Sequence, residues 1–179
     1  MKKIILLSLL FIYNPIVAQE EKVTTSGIIN FEASVPLFEE VKATNNTASC
    51  ILNTKTGAIA TIVLIKDFRF KIPMMEKHFN ENYMESDDYP KASFKGIIEG
   101  FNWYIIGTSP KEFKLKGTLK IHGKSKKINT IAILKKSNNG LEIISDFDVN
   151  IRDFNIEIPE MLSMKVAETV NIKTLFWVK

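Results

Sequence analysis

The sequence predicts an all-β chain built as one antiparallel barrel or sandwich, and three observations carry that prediction. Apolar and polar residues alternate at period two in segment after segment. Turn formers such as Gly, Asn and Ser separate those segments by short links. No internal repeat, low-complexity run or interdomain linker interrupts the 179 residues, a length that suits one domain with a substantial core.

The chain begins with a basic pair, Lys2 and Lys3, then the apolar run Ile4 to Tyr13, then small Ala18 ahead of Gln19-Glu20-Glu21-Lys22. That order is the pattern of a secretory signal peptide, and the run is shorter than the roughly 20 apolar residues a spanning helix needs. Residues 1–18 are therefore read as a signal peptide and 19–179 as the folded domain of a periplasmic or secreted protein. Cleavage removes two lysines and no acid, which lowers the formal charge from +4 to +2. Near-neutral charge with interspersed signs offers no footprint for nucleic acid. Cys50 is the only cysteine, so no internal disulfide forms, and a partly buried thiol is the simplest reading.

The strands follow in order. Ile28 to Val35, Ser49 to Asn53, Ala58 to Asp67 and Ala92 to Tyr104 read as the first of them, with a single turn over Pro36 to Val41. The presumed inner faces carry large apolar residues, with small Ala58, Ala60 and Gly117 among them. Met74 to Glu85 interrupts the pattern as a helix. Pro73 stands at its start, Met75, Phe79 and Tyr83 share one face, and Asp87-Asp88-Tyr89-Pro90 ends it. EFKLKGTLKIHG is the clearest strand, with Phe113, Leu115, Gly117, Leu119 and Ile121 on one side and Lys114, Lys116, Thr118, Lys120 and His122 on the other. A turn at Gly123-Lys124-Ser125 leads into Ile128 to Leu134, and Asn138-Asn139-Gly140 supplies the next turn. Leu141 to Ile151 and Val166 to Phe176 repeat the alternation, for about eight or nine strands in all. A closed barrel of about eight strands just fits its own side chains or holds one small ligand.

Chemistry-bearing residues are sparse. His78 lies amid Glu76, Glu81, Glu85, Asp87 and Asp88, but a zinc site wants three or four convergent ligands, and the chain has two histidines. The acids flank the apolar stripe, so a solvated helix face with a hydrogen-bonded histidine is the expectation, and no metal or other cofactor is assigned. Gly123-Lys124-Ser125 imitates the end of a phosphate loop, yet Thr118 stands where that motif needs glycine. No G-x-S-x-G elbow occurs. Asp146 and Asp148 share a strand face and could pair for glycoside hydrolysis, but they alternate with large apolar residues, so an outward solvated row is the expectation. No catalytic residue is assigned.

Four stretches carry a resemblance. MEKHFNENYMESDDYPKASFKG, LKGTLKIHGKSKKI, SDFDVNIRDFNIEIP and VAETVNIKTLFWV resemble, in order, the characteristic segments of YceI-like proteins, across roughly 27 to 178. The first strand keeps its alternation at Ile29, Phe31, Ala33 and Val35 without the histidine usual there. The resemblance implies a single extended, lipocalin-like antiparallel β-barrel with one or two short helices. It also implies an exported protein that holds an isoprenoid or other long-chain amphiphile inside that barrel. The cavity is then expected to be lined by Phe113, Leu115, Leu119, Phe147, Val149, Val170 and Ile172, with Phe79 and Tyr83 near a helical cap. A non-enzymatic stress-response or interaction module with a filled barrel is the first alternative, and an envelope hydrolase the second. The oligomeric state stays open, a homodimer included.

Overall fold

The computed structural model describes residues 20–138, 140–162 and 164–179. The segment read as a signal peptide, and Asn139 of the Asn-Asn-Gly turn, lie outside the described residues. Nine strands are described: β1 (Glu21–Ser34), β2 (Lys42–Asn53), β3 (Ala58–Leu64), β4 (Arg69–Phe70), β5 (Lys91–Ile98), β6 (Lys111–Ile121), β7 (Lys124–Ser137), β8 (Gly140–Asn150) and β9 (Val166–Val178). All pair antiparallel in the order β1-β9-β8-β7-β6-β5-β3-β2, and β1–β2 pairing closes the ring. The result is an eight-stranded barrel, with β4 as an extra strand on β2 through Ala43↔Phe70. Closure leaves no unpaired edge within the ring, which removes the template for edge-to-edge aggregation. Six of the eight strands run 11 to 14 residues, about twice the usual length, so the barrel is extended along its axis.

Neighbouring strands in the ring are neighbours in sequence except at β1–β9, where the first and last strands meet, and at β3–β5, where an insertion intervenes. It contains β4, one short helix α1 (Pro73–His78) and a π-helical turn over Phe79–Tyr83. The sequence read one continuous helix here. The backbone instead widens at Phe79, whose carbonyl accepts the Met84 N–H at 2.9 Å, five residues on.

The two ends of the barrel differ. At the lower end, Leu52, Ile98, Leu134, Leu141 and Val178 are fully buried. The 99–110 loop folds in beneath them, with Ile106 buried and Phe101 and Trp103 packed on the core. Lys136 fastens that loop, its Nζ donating to the Trp103 carbonyl at 2.7 Å while sitting 4.5 Å from the ring centroid. The upper end carries the β1–β2 loop, the insertion, the β6–β7 turn and the long β8–β9 connection.

Two local expectations are corrected. The β6–β7 turn is His122-Gly123, with φ of +48° and +72°, and Lys124 already belongs to β7. Both central residues of a two-residue hairpin turn of this kind need positive φ, which glycine supplies without strain. On β3 it is Ile59, Thr61 and Val63 that face inward, while Ala58 is exposed and Ala60 lies on the outer side. The run AIATIVL is apolar on both faces, so alternation alone does not choose the inner one.

Candidate functional site

Above the filled lower end the barrel holds a cavity of about 500 Å³, a size in the usual range for small-molecule sites. Its wall comes from every strand of the ring except β2 and is almost wholly apolar. Thr61, Ser93, Thr130, Ser145 and Thr174 are the hydroxyls in that wall. Ser145 is buried but satisfied, its hydroxyl donating to the Ile131 carbonyl at 2.8 Å. Such a wall presents methyl, methylene and ring surface and no charged group until the top.

Eight of the nine residues expected from sequence line this cavity: Phe79, Tyr83, Leu115, Leu119, Phe147, Val149, Val170 and Ile172. Phe113 does not. It is buried on the same face of β6, but six residues from Leu119 at about 3.3 Å per residue puts it about 20 Å lower along the strand. There it forms part of the filled end, beneath Leu115.

Two glycines help keep the middle of the cavity open. Gly96 and Gly117 pair across β5 and β6. A methyl group on Gly117 would fall 2.4 Å from the Phe94 ring, and one on Gly96 would fall 2.6 Å from it. The Phe94 ring therefore occupies the space where two side chains would stand.

At the top, four phenylalanines from three elements meet. Phe79 stacks on Phe31 of β1 with centroids 5.2 Å apart and planes at 24°. It also meets Phe70 of β4 at 5.1 Å and Phe68 at 5.8 Å, and all four rings line the cavity. Sequence reasoning found Phe79 by helical spacing but missed Phe68 and Phe70, which sit on a two-residue strand and its approach, too short to show a period. Met75, Phe79 and Tyr83 line the opening together, as their spacing predicts. Partial burial holds the Tyr83 phenol above its ordinary titration range, so it stays a neutral donor near the mouth.

The acids around His78 are largely structural. Glu76 accepts from the Arg69 guanidinium and from the Phe70 N–H, both at 3.1 Å, and so ties α1 to β4. Glu85 accepts from His122 Nε2 at 2.9 Å. His122 was expected on the wet face of β6, yet its side chain is only 10 % exposed. The turn rotates it under Tyr89, 4.3 Å between centroids, and its Nδ1 donates to the Phe154 carbonyl at 3.2 Å. His78, by contrast, is exposed and lines the rim of the cavity, as do Glu39 and Lys165. Asp146 and Asp148 point outward, where Asn171 Nδ2 donates to both, at 2.7 and 2.9 Å. The residue between them, Phe147, lines the cavity, so this carboxylate pair has no access to it.

Burial pushes the Cys50 thiol up to about 12, and the residue does not line the cavity. It is a packed side chain with negligible thiolate. No helix among the described residues is long and apolar enough to cross a membrane.

Comparison with known proteins agrees with this architecture. Residues 19–176 match the model of the YceI-like domain. A polyisoprenoid binding domain from Saccharophagus degradans, implicated in plant cell wall breakdown, superposes with a TM-score of 0.75 at 13% identity, over 87% of this chain and 95% of that one. Burkholderia cenocepacia BcnA gives 0.69 at 15% identity, over 83% and 94%. A Campylobacter jejuni YCEI protein gives 0.60 at 15% identity, over 81% and 88%. At such identities these likenesses speak for the fold. No curated protein sequence matches the chain.

Proposed function

The chain belongs to the YceI-like family, and we propose that its barrel holds the hydrocarbon tail of an isoprenoid or similar long-chain amphiphile. In this reading the protein is an exported, non-enzymatic carrier or reservoir, periplasmic or secreted. The observation that carries it is the cavity: apolar through its depth apart from a few hydroxyls, closed below, and met by charged groups only at its rim. A tail entering it gains about 25 cal/mol for each Å² of apolar surface removed from water. The polar end would remain at the mouth beside Tyr83, His78, Glu39 and Lys165. The polyisoprenoid binding domain of the structural neighbour supports the tail chemistry. The basic, apolar and small-residue order of the first 18 residues supports export.

Native mass spectrometry of protein purified from its host, with organic extraction of the same sample, tests the reading. A stoichiometric bound lipid is expected, and a labelled prenol should compete for the site. Leu119→Lys should weaken prenol binding by about tenfold or more, because it sets a charge in the apolar wall, and circular dichroism checks that the barrel still folds. Absence of lipid from the host protein, together with no prenol binding, would sink the proposal.

A further inference from the structure

The rim of the cavity exposes large apolar side chains that the rest of the fold leaves without cover. Leu37 is 104 % exposed, Met161 87 %, Met164 74 % and Met74 58 %. They come from three separate places: the β1–β2 loop, the first turn of α1 and the β8–β9 connection. Each adjoins a residue that lines the cavity: Phe38 beside Leu37, Met75 beside Met74, Leu162 beside Met161 and Lys165 beside Met164. A single exposed apolar residue is ordinary on a protein surface. Four on the segments that form the opening, each next in sequence to a cavity-lining residue, put exposed apolar surface beside the lumen.

We propose that this rim docks on a lipid bilayer, so that the amphiphile passes between membrane and barrel without crossing water. The inference rests on the cavity reading above and adds where the ligand comes from. Two features favour a bilayer over a protein partner. The residues stand on loops around a hole rather than on a flat face, so a docked protein would stopper the exit that the ligand needs. A bilayer's acyl chains instead continue the cavity wall past Phe38, Met75 and Leu162. The charges of the same loops are mixed, Lys71, Lys77 and Lys165 beside Glu39 and Glu40, so insertion of the apolar tips, rather than attraction to anionic head groups, drives docking. Attachment should therefore occur on zwitterionic vesicles and persist in salt.

The test follows transfer of a dansyl-labelled farnesol from phosphatidylcholine vesicles to the purified protein. If docking occurs, the transfer rate rises with vesicle concentration. In a Leu37→Ser, Met74→Ser, Met161→Ser, Met164→Ser variant the rate should fall about tenfold and lose that dependence, because the apolar anchor is gone. The four side chains are exposed, so the variant should keep its thermal midpoint and its affinity for the probe in vesicle-free buffer. A second readout is direct. A Leu37→Cys variant takes an environment-sensitive dye selectively, because the Cys50 thiol is buried, and its emission should shift to the blue on adding vesicles. Unchanged emission, or a wild-type rate indifferent to vesicle concentration, overturns the docking proposal while leaving cavity binding intact. Failure of the probe to bind at all overturns the cavity reading, and docking with it.

Discussion

Both ring nitrogens of His122 face acceptors, Nδ1 the Phe154 carbonyl at 3.2 Å and Nε2 the Glu85 carboxylate at 2.9 Å. Through those two bonds a residue in the β6–β7 turn holds the β8–β9 connection and the end of the insertion together. His122→Ala would leave the carbonyl of buried Phe154 without this donor, a loss worth about 1–3 kcal/mol for a buried group. The exposed half of the Glu85 pair adds little. Urea unfolding should report that loss, and amide exchange should quicken in 85–90 and 151–156 while the lower barrel stays protected; uniform protection would show that the histidine is not a tie. The sequence misplaced this residue for a specific reason. Period two assigned it to the wet side with Lys120, but its φ of +48° takes it out of the strand before the alternation applies.

The insertion between β3 and β5 is the element on which the mouth depends, and Phe79 is its anchor. Losing a fully buried phenylalanine costs about 3–5 kcal/mol, and a half-buried one in an aromatic cluster correspondingly less, about 1–3 kcal/mol. Phe79→Ala should lower the unfolding free energy by that amount. Its larger signature should be kinetic: the bound amphiphile should leave several-fold faster once the rings of Phe31, Phe68 and Phe70 lose their partner, as stopped-flow displacement would measure. An unchanged off-rate alongside the lost stability would mean that the cap does not gate the cavity. Elements were legible where one face was apolar and the other charged, as on β6, whose alternation sorted Leu115 and Leu119 inward correctly. They were illegible where both faces were apolar, as on β3, or where two residues made the whole strand, as on β4. The spacing of Met75, Phe79 and Tyr83 survived a switch from α to π geometry because each still turns toward the opening.

The molecule as a whole sets a length limit on what it can hold. Alternation told which face of each strand points inward, but not how much of the interior its own side chains occupy. That depends on the 99–110 loop, which folds beneath Leu52, Ile98 and Val178 and makes the lower end of an extended barrel solid core. About 500 Å³ remain. A methylene takes nearly the volume of a water in the liquid, about 30 Å³, so the cavity accommodates roughly fifteen to twenty chain carbons. Each isoprene unit that enters should strengthen binding by its share of about 25 cal/mol per Å² buried, and a unit left outside should add nothing. A series of prenols of increasing length, measured by calorimetry in detergent-free buffer, should therefore gain affinity up to roughly the twenty-carbon member and then level off. A longer tail would leave its surplus at the mouth, among Leu37, Met74, Met161 and Met164. An affinity that keeps climbing to a forty-carbon prenol would contradict the limit. It would require the lower loop to open, which amide exchange at Ile106 and Trp103 in the bound state would then reveal.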